Sequence, residues 1–141
     1  TGQVKLYHYG NQKFNTDSTG VSITGTATAD TFGDGSIYST SSDSDNISGT
    51  TTTAINTFAV ATTSTRKYLA TVTNGSKLQS SEMLLIGNTT NAYLTTYAVV
   101  NTDSNLGTFT ADLNSGSARL KFTPTLAGTN IIKLMFTDIS V

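Results

Sequence analysis

Along much of this chain the apolar positions fall on every second residue, which is the period of a half-buried strand. Ser117–Thr123 alternates cleanly, with Ala118, Leu120 and Phe122 on one side and Arg119, Lys121 and Thr123 on the other. Thr129–Val141 sets Ile132, Leu134 and Phe136 against Ile131, Lys133 and Met135, and Arg66–Thr73 places Tyr68, Ala70 and Val72 on one face. Phe109, Ala111 and Leu113 share a side in Gly107–Leu113. Ile55, Phe58 and Val60, the apolar run Glu82–Gly87 and the stretch Ala92–Thr102 complete the set. Between them stand turn signals: Asn74-Gly75, Asn88-Thr89, Asp103–Asn105 and Asn114–Gly116. Six or seven short strands at this spacing predict an antiparallel β-sandwich, jelly-roll-like, over residues 54–141. No segment carries the apolar stripe of a helix.

The first third differs. Gln3–Tyr9 alternates, with Val4 and Leu6 on one face and Tyr7 and Tyr9 on the other, then turns at Tyr9-Gly10-Asn11-Gln12 and returns through Lys13-Phe14. After a second turn at Thr16–Gly20, Val21, Ile23, Gly25 and Ala27 line one narrow face. Leu, Ile, Val and Phe number 8 in residues 1–52 and 24 in residues 53–141. The first figure is about 15%, below the roughly 20% under which chains lack a core of their own. A strip this thin suits close packing against identical copies around an axis. Residues 1–32 are therefore expected to form a thin β segment intertwined with identical copies, which the resemblance described below implies is a trimeric fibre shaft. Residues 33–53, nearly all Gly, Ser, Thr, Asp and Asn, are the natural connector, or else an extended segment held by its neighbours. The whole reads as an all-β chain: shaft, connector, sandwich knob.

Composition narrows the function. Ser and Thr supply 16 and 29 of the 141 residues, charged residues only 12%, and there is one Pro, one His and no Cys or Trp. Net charge is −1, so no basic surface for nucleic acid is expected, and no apolar run is long enough for membrane insertion. The chain opens on Thr1-Gly2 rather than Met, as the C-terminal piece of a longer protein would.

Two stretches resemble a known group of proteins. Lys5-Leu6-Tyr7, Tyr9–Phe14 and Thr19–Thr26 resemble the strand, polar turn and TGV-x-V-TGT step of tail-fibre and virion structural proteins of marine bacteriophages. Ile55–Phe58, Lys67–Leu69, Ser81–Ile86, Thr90–Tyr97, Leu106–Phe109 and Arg119–Pro124 are similar, in order and spacing, to a C-terminal module of cyanophage and pelagiphage virion proteins. One position departs: members of that group often carry a polar residue or His where Gly87 stands. The resemblance implies a virion appendage, a homotrimer that contacts other virion proteins and ends in a knob meeting a host cell-surface glycan or protein.

Chemistry leaves little to choose from. Glycan hydrolysis needs two carboxylates about 5–9.5 Å apart, one of them held protonated. The acids are Asp17, Asp30, Asp34, Asp43, Asp45, Asp103, Asp112, Asp138 and Glu82. The close pairs Asp30/Asp34 and Asp43/Asp45 lie in polar surroundings, where turn-capping is the ordinary role. Asp43-Ser44-Asp45-Asn46 begins like a calcium loop but lacks Gly at the sixth position and Glu at the twelfth. His8 is the lone imidazole and could meet an ion only with two symmetry copies. Gly33-Asp34-Gly35 is too short to cradle a phosphate. No catalytic residue, cofactor or metal is expected.

Recognition is then left to loops and rings. Asn74, Lys77, Asn88, Asn91, Asp103 and Asn105 stand in the predicted loops, where recognition on a rigid scaffold concentrates. Tyr93 and Tyr97 are two strand periods apart and share a face with Thr95. They read either as flat platforms for sugar rings or as packing, within the sandwich or between subunits. The expected role is non-enzymatic: a trimeric tail fibre whose knob adheres multivalently to a host, the alternative being an architectural capsid-decoration or head-fibre protein.

Overall fold

The computed structural model describes residues 3–18, 20–26, 32–33 and 38–140. It is all-β and antiparallel throughout, as the alternation predicts. Contacts divide the chain into two units, Thr1–Asp30 and Thr31–Val141. Asp30, Thr31, Asp34, Gly35 and Ala27, all named above, lie outside the described residues.

The first unit is a three-stranded meander: β1 (Lys5–His8), β2 (Asn11–Asp17) and β3 (Gly20–Ile23). The β1–β2 turn has two residues, Tyr9 and Gly10, at φ 48° and 74°, the double positive φ of a type I′ hairpin. Val4, Leu6, Tyr7, Tyr9, Val21 and Ile23 are 46–91% exposed. This sheet therefore buries almost no apolar surface within its own unit, which follows from the scarcity of large side chains.

The second unit is a sandwich. One sheet has six strands in the order β4 (Phe32–Gly33), β5 (Tyr38–Ser48), β12 (Thr129–Ser140), β7 (Thr63–Asn74), β8 (Lys77–Gly87) and β9 (Ala92–Asn101). The other has three, β10 (Gly107–Asn114), β11 (Ser117–Pro124) and β6 (Thr53–Ala59). The seven strands β6–β12 are those read from the alternation. Their inward residues form one core: Tyr68, Val72, Met83, Leu85, Ile132 and Phe136 from the large sheet meet Ile55, Phe58, Phe109, Leu120 and Phe122 from the small one. Each such side chain contributes about 1.5–3 kcal/mol by leaving water. Among the described residues no helix is long and apolar enough to cross a membrane.

Two elements lack the alternating signal. Of the two readings of 33–53, a connector or an extended segment held by its neighbours, residues 38–48 fit the second: they form the eleven-residue β5, which pairs along its length with β12 from Tyr38↔Ile139 to Ser48↔Thr129. The backbone supplies these hydrogen bonds whatever the side chains are. Near the margin of a sheet twice as wide as its cover, one core anchor suffices: Ile47, 4% exposed. Second, β8 starts at Lys77, five residues before the apolar run Glu82–Gly87. Its early inward positions are Gln79 and Ser81, buried but polar, so they carry no hydrophobic signal.

Candidate binding surface

The eight residues proposed from sequence fall into three places. Asn74, Lys77, Asp103 and Asn105 gather at one end of the sandwich. Gly75 at φ 61° opens the tight β7–β8 turn between the paired residues Asn74 and Lys77. Thr102 extends the β8–β9 pairing at this end, its N–H donating to the Leu78 carbonyl at 3.0 Å and its Oγ1 accepting from the Leu78 N–H at 3.0 Å. That brings the next residue, Asp103, to the turn, where its carboxylate meets Lys77 Nζ at 2.8 Å. The lysine holds the exposed Asp103 carboxyl below the usual carboxylate range. Asn74 Nδ2 donates to Asn130 Oδ1 at 3.0 Å and to the Ala127 carbonyl at 3.3 Å, tying in the loop before β12. The Asn105 carbonyl accepts from Thr125 Oγ1 at 2.6 Å.

Asn88 and Asn91 lie at the opposite end, in the four-residue turn between the paired Gly87 and Ala92. Asn88 Oδ1 accepts from the N–H groups of Thr90 and Asn91, each at 2.8 Å, and the Asn88 N–H donates to the Asn91 carbonyl at 2.9 Å. The carboxamide oxygen of Asn88 thus holds its own turn, an Asx arrangement. Gly87 beside it points inward. A Cβ there would stand 2.7 Å from Val60 Cγ1 and 3.0 Å from Ala118 Cβ, so this packing has no room for a larger side chain, polar or imidazole, at position 87.

Tyr93 and Tyr97 lie on the outer face of the large sheet, the one the small sheet does not cover. The β8–β9 register shifts between Glu82↔Ala98 and Met83↔Thr96, leaving Tyr97 as an extra residue. Such a bulge re-aims side chains. Tyr97 accordingly shares a face with Lys67, whose Nζ sits 6.0 Å from its ring centroid and 3.7 Å from Glu82 Oε2. The Tyr97 hydroxyl, and then Glu82, raise Lys67 above the usual lysine range. Successive rows across this face read Ile139–Thr65–Ile86–Tyr93, Thr137–Lys67–Leu84–Thr95 and Met135–Leu69–Glu82–Ala98. Leu69, Leu84, Ile86, Tyr93, Tyr97 and Met135 are all exposed.

Two polar assemblies escaped the sequence reading. Gln79 lies between the sheets, where its Oε1 accepts from the N–H groups of Leu106 (2.8 Å) and Gly107 (3.2 Å) and its Nε2 donates to the Gly107 carbonyl (3.2 Å). One side chain thereby fixes the β9–β10 connection. A cavity of about 190 Å³ opens beside it, lined by Gln79, Ser81, Thr96, Val99, Asn105 and Phe109 among others. Arg66 is the second. Its guanidinium binds both oxygens of Asp138, donates to Asn56 Oδ1 and stacks on Phe58 and Phe136 at 4.7 and 4.1 Å. Asn56 also accepts from Tyr68 Oη at 2.8 Å and donates to Asp43 Oδ2 at 2.9 Å. A bulge in β6, between Leu120↔Asn56 and Lys121↔Ala54, turns both Ile55 and Asn56 inward and makes this possible. Burial lifts the Tyr68 hydroxyl well above the usual tyrosine range. The alternation did hold a signal, since position 66 shares parity with Tyr68, Ala70 and Val72.

The carboxylates are largely paired. On the outer face of the small sheet Asp112 accepts from Arg119 Nε and Nη2, each at 2.7 Å, and from Lys121 Nζ at 2.9 Å. Arg119 chiefly, with Lys121, lowers its pKa to about 2, the direction opposite to that of a glycosidic general acid. Asp43 and Asp45 lie on the extended β5, each accepting from the next residue's N–H, so they do not curl into a calcium loop. Among the described residues, no three His, Cys, Asp or Glu side chains gather as a metal ion would need. His8 lies on β1, its ring edge-on to Tyr9 at 4.4 Å.

No family model and no curated protein matches the chain. Among solved structures it is similar to the tailspike protein of Acinetobacter baumannii phage AM24, with 8% identity and a TM-score of 0.40. That alignment covers 72% of this chain and 26% of the tailspike, so the present chain spans about a quarter of that protein's length.

Proposed function

We propose that this chain is a non-catalytic bacteriophage virion protein, a homotrimeric tail fibre whose sandwich domain adheres to a host cell-surface glycan or protein through its loops. The observation that carries this reading is the first unit. A meander that leaves Val4, Leu6, Tyr7, Val21 and Ile23 exposed is marginal alone in water, and identical copies around an axis would supply the missing interior. The resemblance of residues 5–26 to fibre segments supports the same assignment. The sandwich suits adhesion because its loops are held firmly by Asn88, Gln79 and the Lys77–Asp103 pair, so little ordering is left to accompany binding. Three copies per fibre then raise avidity through effective concentration, even where each contact is weak.

The test has two arms. Light scattering on the full chain should give about three times 14.8 kDa. A fluorescently labelled chain, offered to a panel of marine bacteria, should bind a subset saturably and block infection of those strains. A monodisperse monomer would remove the shaft. Binding to tailless capsids with no binding to any cell would replace adhesion by the architectural role.

A further inference from the structure

We infer that the uncovered face of the six-stranded sheet is where copies of this chain meet within the sandwich domain. The inference rests on the trimer proposed above and names a surface for it that the shaft alone does not.

Area is the first argument. Leu69, Leu84, Ile86, Tyr93, Tyr97 and Met135 stand on neighbouring strands of this face and are 39–58% exposed. At roughly 150–250 Å² for a ring and somewhat less for an aliphatic chain, they offer on the order of 600 Å². Leu78, Val100, Ile131 and Ile139 at the margins, 41–70% exposed, bring the face to about 900 Å² by the same measure. The largest apolar patch on an ordinary monomer is about 300–600 Å², and a standard interface takes about 800 Å² from each partner. The face therefore exceeds what a monomer leaves bare and matches what a stable contact between copies requires.

Charge is the second. The charged residues on this face are Lys67, Lys133 and Glu82, and Lys67 is already paired with Glu82 at 3.7 Å. Copies brought together here meet little repulsion and strand no isolated carboxylate.

The rim is the third. β9, the last strand of the sheet, reads AYLTTYAVVN, ten residues without a charge or a proline. Exposed edges are normally protected by such residues. The bulge at Tyr97 and the nearby β10 protect part of it, and a neighbouring copy over this face would shelter the remainder.

The absence of cysteine from the chain makes the test direct. Single substitutions Met135→Cys, on this face, and Thr57→Cys, on the outer face of the small sheet, are treated in the full chain with a short bis-maleimide. Met135→Cys should give covalent dimers in high yield and Thr57→Cys only traces. The pair Leu69→Glu and Met135→Glu, exposed in the single chain, should retain the β circular dichroism signal while weakening self-association at least tenfold. Absence of the Met135→Cys cross-link, or equal cross-linking at both positions, overturns the inference. So does an unchanged strength of self-association, measured by dilution, in the folded double variant; if that variant fails to fold, the cysteine pair decides. Cross-linking through Met135→Cys in a protein that binds no cell would keep this interface and reject adhesion. Saturable binding of a sugar array, lost in Tyr93→Ala and Tyr97→Ala while the chain remains monomeric, would instead make the face a glycan platform and end the proposal.

Discussion

Arg66 and Asp138 stand directly opposite each other in the ladder between β7 and β12, and both turn into the space between the sheets. The guanidinium also reaches Asn56 on the facing sheet, so one arginine joins both layers. Truncating it as Arg66→Met leaves Asp138 buried without its partner and should destabilise the fold by about 3–5 kcal/mol. The double variant Arg66→Met, Asp138→Leu should lose much less, because no orphan charge remains. Urea unfolding of the two variants measures the difference; equal losses would mean that the charge pairing is unimportant.

Gly107 is required by space. A Cβ at this position would lie 2.2 Å from Phe122 Cζ and 2.6 Å from the Thr123 carbonyl oxygen. Gly107→Ala should therefore cost about 1–3 kcal/mol through displacement of Phe122. Gly116→Ala meets nothing within 4 Å but must hold φ near 76°, and its cost should be closer to 1 kcal/mol. Thermal melts of the two variants should rank them in that order.

Gln79 predicts a local effect. Gln79→Leu removes the acceptor of two buried N–H groups, at a cost of about 1–3 kcal/mol for each left unpaired. Hydrogen exchange at Leu106 and Gly107 should accelerate more than at Leu120 in β11. Uniform acceleration across the sandwich would show that Gln79 does not act on the loop in particular.

Acid should act through Asp112. Arg119, with Lys121, holds its pKa at about 2 in the folded state, below the usual aspartate value of 3.8, so this pairing contributes its full stability above about pH 4 and loses it as pH falls through about 2. Asp112→Asn should therefore flatten the decline in urea midpoint between roughly pH 4 and pH 2. Parallel declines in variant and parent would place the acid sensitivity elsewhere.

The sandwich strands were legible because their burial is one-sided, and one-sided burial writes a period of two into residues such as Ala118, Leu120 and Phe122. β5 was not, since a strand near a sheet margin needs a backbone partner and a single anchor, Ile47. The front of β8 was hidden for a related reason: its inward residues Gln79 and Ser81 are buried for their hydrogen bonds. Of the eight candidate residues, the turns gave away Asn74, Lys77, Asn88, Asn91, Asp103 and Asn105. Their division between two ends depends on strand direction, which spacing alone does not carry. The period of two put Tyr93 and Tyr97 on one face, and they share it, although a bulge at Tyr97 breaks that period between them.

That division has a geometric consequence. The eleven residues of β8, at about 3.3 Å each, hold the turn at Lys77 and the turn at Asn88 some 36 Å apart. A flat cell envelope touched by one tip is out of reach of the other. If the domain adheres to a host as proposed, host-range variation should concentrate at a single pole, leaving its antipode free to accept insertions, tags or grafted peptides without altering which bacterium is recognised.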